Sequence, residues 1–421
     1  MTLNLTNFNP MIKEHYAPGP VMNMAAQKNK ALGLLGKRNR KPSGQGGGKY
    51  WVQPIQFGLP GGGSSDLATA IASSANNSLY DAFNVTRKKH YRLGKVDNET
   101  IEATATGDMD AFEPAFDEFD KCIEAEGNYL NFRFFRSGGG DLARMTNASF
   151  ATTVITLDDA AGTWAVRQGD VIGLSADNGT TGALKAGSLT VASVQRRAGT
   201  ITTTANISTG VATAAVNDYI FMAGDWLGSG TGSAASGLID WLPDSDPSAT
   251  SYYGVDRSLE PEMLGGLRVD ASTTGAPVHE ILIDMVVEAD NLGGEPDVCF
   301  MNPRAAGSLT KQLEGKWVVM KGQGYGGKEI DIGYRGWQVT LEGHEVTIFT
   351  DRCCQVDHMW MLQMDTWTMF SAGPAPNFLQ KRAGSIIKVS ETSDSYEARV
   401  GEYYGFACKA PGFNVNGKRA V

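Results

Sequence analysis

The chain has 421 residues, 42% hydrophobic and 20% charged, with a formal net charge of −9. That length supports two or three folded domains with real cores, and no apolar run reaches the roughly 18 residues of a membrane-spanning helix. Five cysteines, an odd number at irregular spacing, exclude a disulfide framework.

The opening "MTLNLTNFNPMIKEHY" lacks a basic region followed by an apolar one, so no secretory signal is expected and synthesis with reduced thiols in a cytoplasm is the simpler reading. Charge is unevenly spread. Residues 1–50 carry eight Lys/Arg and one Glu, a net of +7, which leaves −16 on the remainder. An acidic body with a basic arm suggests separate tasks for the two. No basic face of the kind expected from a sequence-specific nucleic-acid clamp is evident in the body.

Residues 1–48 read as an arm: polar, broken by Pro10, Pro18, Pro20 and Pro42, and ending in "SGQGGGK". A short helix fits "NMAAQKNKALGLL". Its basic residues Lys28, Lys30, Lys37, Arg38, Arg40 and Lys41 leave three readings open. They are contacts to nucleic-acid phosphates, a solvated tail, or an ion-paired strap onto the acidic body of a neighbouring copy. In residues 49–107, "KYWVQPIQF" and "FNVTRKKHYRLGKV" have strand composition on either side of a Gly-rich break. The expectation is a long exposed hairpin-like loop that needs a partner surface.

Residues 108–136 give the clearest helix. Phe112, Phe116, Phe119, Ile123, Leu130 and Phe134 share one face at a 3.6-residue period and form the candidate core stripe. Pro114 suits the first turn, Arg133 and Arg136 the last, and "SGGG" ends it. The acidic "DEFDKCIEAE" is expected on the solvated or subunit-facing side. Residues 150–228 change to short Thr/Val-rich segments ("ATTVITL", "DVIGLSA", "SLTVASVQ", "TITTTANI", "DYIFMAG"), an inserted small barrel or sandwich.

From residue 229 the pattern is mixed. "PVHEILIDMVVEADNLGG" reads as an amphipathic helix. A strand at Val298–Met301 then leads through Asn302 as N-cap and Pro303 at N1 into a second helix. Strands follow in "WQVTLEGHEVTIFTD", "HMWMLQMDTWTMFS" and "SIIKVSETSDSYEARVGEYYGFACKAP".

The chemical motifs fail one by one. There is no G-x-x-x-x-G-K-[ST], no G-x-S-x-G and no H-E-x-x-H. "GYGG" at 324–327 has no helix pattern after it. "DRCCQVDHMW" (351–360) looks like a site, but adjacent cysteines on a strand point to opposite faces and no second Cys pair exists. It reads as a turn and strand, with Cys353 and Cys354 as small packing residues and the Met-aromatic run after it as core. No catalytic, metal-binding or cofactor-binding residue is assigned, and no cofactor.

In order, the elements resemble a tailed-bacteriophage major capsid protein of the Hong Kong 97-type fold. The resemblance is carried by "GLIDWLPD", "GVDRSLEPEMLGGLRVD", "PDVCFMNPRAAGSLTKQLEG", "GHEVTIFTDRCCQVDHMWMLQMDTW" and "YYGFACKAPGFNVN". It includes a G-x-x-V-x-x-x-x-D element at Gly343–Asp351 and a late Ala-Pro-Gly segment at Ala410–Gly412. It implies an α+β chain. Residues 1–48 would be an N-terminal arm, 49–107 an extended E-loop, and 108–149 the spine helix and link of the peripheral (P) domain. Residues 150–228 would be an inserted β domain, 229–372 the axial (A) domain, and 373–421 the P-domain strands with a return to the A domain.

The resemblance further implies a structural protein, not an enzyme. It would assemble with itself into pentamers and hexamers of an icosahedral shell around double-stranded DNA, without sequence-specific binding. A separate scaffolding protein, a portal and a decoration protein would be its partners, no membrane is involved, and its place is the virion, after synthesis in the host cytoplasm. Crosslinking through Lys88, Lys89 or Lys95 is not predicted, because no acceptor or catalytic Glu is identified. An encapsulin-like compartment shell shares the fold and is the nearest alternative. A metal-dependent hydrolase is the alternative from another class.

Overall fold

The computed structural model describes residues 30–39, 50–61, 63–72, 78–98, 113–226, 232–312, 337–341, 343–373, 375–379, 387–390 and 393–420. Among these residues three sheets of six strands and one two-stranded hairpin make up the β structure. No helix among the described residues is long and apolar enough to cross a membrane.

The first sheet is organised by a single 14-residue strand, β19 (Ser395–Cys408). One of its edges is paired along Ser395–Tyr404 with β4 (Lys88–Asp97). The other edge is taken in turn by β18 (Ile387–Val389), β17 (Asn377–Phe378) and β16 (Trp367–Ser371). Beyond β16 lies β1 (Gly36–Asn39), running parallel to it. A short helix, α1 (Lys30–Leu34), precedes β1 and buries Ala31 and Leu32. This part of the arm therefore docks on its own chain. The expectation of a free or neighbour-seeking arm is corrected for residues 30–39, because Ala31, Leu32 and Leu35 have apolar surface to bury at home.

The long helix α2 (Glu113–Phe134) lies across this sheet. Pro114 falls in its first turn, where a missing N–H costs little. Of the expected core stripe, Phe119, Leu130 and Phe134 are buried and Ile123 is only half-buried. Phe112 and the side chain of Phe116 lie outside the described residues. The face on the sheet instead runs through Phe119, Cys122 and Glu126, so the acidic stretch is not uniformly solvated. Gly94 of β4 explains the rotation: a Cβ there would stand 2.7 Å from Cys122 Sγ. Its absence lets the helix settle onto the strand. The last turn is buried on all sides, with Phe132, Arg133, Phe134, Phe135 and Arg136 inside.

The second sheet is the inserted module. Its strands are β5 (Ala143–Arg144), β6 (Val154–Thr156), β7 (Val171–Ser175), β8 (Leu189–Gln195), β9 (Thr200–Thr203) and β10 (Tyr219–Met222). They pair antiparallel in the order β5-β10-β7-β8-β9-β6. A bridge from Met145 to Leu157, and Thr146 N–H donating to the Thr156 carbonyl at 2.9 Å, join the two ends. The sheet thus closes on itself, which removes free edges. Its apolar interior (Ile155, Ile172, Leu174, Leu189, Ile201, Ile220) is continuous with the core under α2.

The third sheet has the order β11-β20-β15-β12-β14-β13. The strands are β11 (Leu267–Ala271), β12 (Val298–Met301), β13 (Trp337–Leu341), β14 (His344–Thr350), β15 (His358–Leu362) and β20 (Val415–Arg419). Both faces are buried. Cys299, Met301, Met359 and Met361 meet the face of α3 (Val278–Asn291) that carries Ile281, Leu282 and Met285. The alternate residues Val298, Phe300, Trp360 and Leu362 join the main core. Strand periodicity thus sorts one apolar run onto two cores. The helix α4 (Pro303–Gln312) starts as expected, with Arg304 N–H donating to Asn302 Oδ1 at 3.1 Å.

Candidate functional site

The hairpin of β2 (Tyr50–Gly58) and β3 (Leu79–Thr86) is anchored at its base and along one face of β2, where Ile55 and Phe57 also meet the core. At its base Trp51 stacks on Phe370 with ring centroids 5.8 Å apart, and Phe83 meets Trp241 edge-on at 4.9 Å. Gly405 makes room for Trp51 and Val85 in the strand beneath. Toward the far end the same two strands and their connection expose Leu59, Leu67, Ile71, Leu79 and Tyr80, with Leu59 at 81% and Leu67 at 74%. That is a large apolar surface for one projecting element. Asp66 caps the short helix Leu67–Ala72 there, accepting from Thr69 N–H at 2.9 Å.

Of the six basic residues singled out in the arm, Lys30 alone has a described side chain. Lys30 is half-buried, its ammonium donating to the Thr350 carbonyl at 2.5 Å, and burial lowers its pKa. The backbone of Lys37 and Arg38 belongs to β1. Lys28, Arg40 and Lys41 lie outside the described residues, as does "GYGG". A basic face that the sequence reading missed forms on the body instead. The Arg196 and Arg352 guanidiniums lie 5.0 and 4.6 Å from the Trp164 ring centroid. Arg167 adds to the like charge felt by Arg196, and Arg304 donates to the Arg197 carbonyl. These arginines come from four separate segments, so no run of charge announced them.

"DRCCQVDHMW" is a buried turn followed by β15. Cys353 and Cys354 sit in the turn rather than on a strand, and burial pushes both thiols well up. Buried, protonated thiols of this kind are poor nucleophiles and fill space as small packing groups. Asp351 accepts from Asn131 Nδ2 at 2.9 Å and from Cys353 N–H at 2.8 Å, tying the turn to α2. His358 lies between Asp357 (2.7 Å) and Asp244 (2.9 Å). Burial works against its charge, but hydrogen bonds to the two carboxylates raise its pKa to about 9. Lys418 and Asn416 of β20 also bond Asp244, at 2.6 and 2.9 Å. The result is an ionic latch between β15, β20 and the loop after Trp241.

The second polar cluster is internal. His90 and Glu402 are directly opposite each other on β4 and β19. Glu126 reaches them from α2, ion-paired to His90 Nδ1 and, at 3.1 Å, to Arg92 Nε. The Tyr129 ring stacks on His90 at 3.7 Å, and Arg133 lies over Tyr129 at 4.9 Å. Neither carboxyl oxygen of Glu402 has a hydrogen-bond partner among the described residues, and burial together with the nearby Glu126 raises its pKa well above the usual range. Arg133, fully buried, donates to the Gly140 and Asp141 carbonyls at 2.7 Å each and pairs with Asp225 at 3.0 Å. Arg136 pairs with Asp159 at 2.5 Å. Both arginines are thus internal braces rather than exposed partners of the helix dipole. Two of the candidate crosslinking lysines are engaged at home: Lys88 with the Gly232 carbonyl at 2.7 Å, and Lys95 with Glu397 at 3.7 Å.

No family model matches the sequence, and no curated protein does. The fold does have counterparts among solved structures. A chain of the cyanophage A-1(L) capsid asymmetric unit is similar over 97% of this chain and 98% of its own, with TM-score 0.54 at 11% identity. Looser likenesses are to the capsid of a native GTA particle (TM-score 0.47, 10% identity, 98% and 96% covered) and to an encapsulin complex from Synechococcus elongatus PCC 7942 (TM-score 0.43, 8% identity, 100% and 96% covered). The architecture is that of a phage-capsid chain. It is the Hong Kong 97-type fold, with a long helix across one sheet, a two-stranded hairpin and a further six-stranded sheet.

Proposed function

We propose that this chain is a shell-forming structural protein, the major capsid protein of a tailed bacteriophage. It would assemble into pentamers and hexamers of an icosahedral shell around double-stranded DNA. The observation that carries the reading is the end-to-end likeness to the cyanophage capsid chain, which leaves almost nothing of either chain unmatched. The hairpin supports it, because the apolar surface exposed at its far end is best buried on a neighbouring copy. In this reading the hairpin is the E-loop and α2 the spine of the P domain. The third sheet is the A domain around the capsomer centre, and the closed β module is an insertion.

The protein acts without catalysis and resides in the virion. Scaffolding, portal and decoration proteins are its expected partners. Packaged DNA is held without sequence readout, with the Trp164 arginine face and the basic residues near the N-terminus as the places where phosphates, or the acidic face of another copy, would be met. The test is electron microscopy of the purified protein with sedimentation alongside. Closed shells or five- and six-fold rings are expected. Shells filled with an enzyme rather than DNA would move the reading to an encapsulin-like compartment. A uniform monomer or dimer, with a scaffold supplied, would overturn it.

A further inference from the structure

We propose that His90, Glu126 and Glu402 form a divalent-cation site that clamps β4, β19 and α2 to one another. One ligand atom from each of the three lies within 4.8 Å of the others. They arrive from three elements in a way the fold fixes: His90 and Glu402 as a cross-strand pair, Glu126 from the helix above. An imidazole nitrogen with two carboxylate oxygens is a donor set for Zn²⁺ and its first-row neighbours, and suits Mg²⁺ or Ca²⁺ poorly.

An independent observation points the same way. Glu402 is 1% exposed, and neither of its oxygens finds a donor among the described residues. A buried carboxyl left so is costly whether ionised or neutral, since the neutral form also needs partners. A cation beside it removes that cost. The surroundings are arranged for the same result. Arg92 holds Glu126 Oε2, which turns Oε1 toward His90 Nδ1, so an ion entering here would come between these two atoms and replace their direct contact. Tyr129 stacked on the imidazole holds the ring in place. His90, with its side chain 18% exposed, borders a cavity of about 220 Å³ that supplies an entry path. Glu126 and Glu402 are sealed, so the site is structural rather than catalytic.

The experiment uses the full chain, stripped with a chelator and desalted, then given Zn²⁺ or Mg²⁺. Metal content by mass spectrometry and thermal unfolding are read together. One Zn²⁺ per chain and a raised Tm with Zn²⁺ but not Mg²⁺ are expected. Glu402→Gln should bind Zn²⁺ at least about tenfold more weakly. Without metal it should unfold no earlier than the stripped parent, because it removes an uncompensated carboxyl. That second arm separates loss of a ligand from loss of the fold. Wild-type protein that retains no stoichiometric Zn²⁺ overturns the proposal. So does Zn²⁺ retained in full by both Glu402→Gln and His90→Asn. Neither result depends on whether shells form.

Discussion

At the scale of single residues, two buried cations set the largest expected effects. His358 is ordinarily half-protonated near pH 6.5, and in the fold only near 9. Below 6.5 the folded and unfolded chains both carry the proton and the latch contributes in full. Between 6.5 and 9 the unfolded chain gives up its proton first, so stability falls as pH rises, and above 9 the contribution is gone. A shift of this size corresponds to at most about 3 kcal/mol, and the partial exposure of Asp244 should reduce it to about 1–2 kcal/mol. Urea unfolding at pH 6.5 and 9.5 should show that loss in the parent and not in His358→Gln; equal slopes in both would refute the latch. Arg133 has no solvent to fall back on. Arg133→Met takes the donor from two backbone carbonyls and leaves Asp225 with the Tyr129 hydroxyl but no cation, and should cost about 3 kcal/mol in the same assay. A loss no larger than that of an ordinary surface substitution would mean that the brace is not needed.

At the scale of elements, the seating of α2 on β4 is decided by one missing side chain. Gly94→Ala would put a methyl group 2.7 Å from Cys122 Sγ and 3.2 Å from Phe119. Overpacking of this kind costs about 1–3 kcal/mol. Adding Cys122→Ala removes the obstructing sulfur, so the double variant should regain part of the loss. If it falls by the sum of both instead, the contact is not what positions the helix. The same contact shows what could be read from the sequence. Apolar spacing revealed that 108–136 is a helix, but not which face meets the sheet. That face includes Glu126 and Cys122 and is set by a glycine on a strand distant in sequence. β20 escaped notice for a related reason. "VNGKR" has loop composition, yet it is a central strand, flanked by Asn414 and containing Asn416. Asn414 Oδ1 accepts from Gln363 N–H and Trp367 Nε1, and Asn416 Nδ2 donates to the Leu242 carbonyl and Asp244. Polar residues that are satisfied by remote partners look like surface until the partners are known. The turn and strand of "DRCCQVDHMW" were legible because adjacent cysteines fail the spacing that ligation needs. The Trp164 arginines and the His90 cluster were not, since each gathers residues that only tertiary structure brings together.

At the scale of the whole molecule, the body and the hairpin answer to different demands. A third sheet whose strands β12 and β15 are buried on both faces, a closed module and a helix end buried all round give the body its own stability, while the hairpin's far end leaves Leu59 and Leu67 in water. Such surface costs little in a body already paired elsewhere, and is recovered when a neighbour covers it, at about 25 cal/mol per Å². Repeated over a shell, modest contacts of this kind suffice, because closure makes every copy both donor and acceptor of the same surface. Leu59→Asp with Leu67→Asp should therefore leave the isolated chain folded, with unfolding as cooperative as the parent's. Both residues are clear of the aromatic anchor formed by Trp51 and Phe83. In sedimentation under assembly conditions, however, the double variant should remain as free subunits or small rings where the parent forms shells. Normal shells from that variant would show that the hairpin's apolar end is not an assembly contact. Loss of folding as well would show that the hairpin belongs to the body's own core, contrary to the exposure of these two residues.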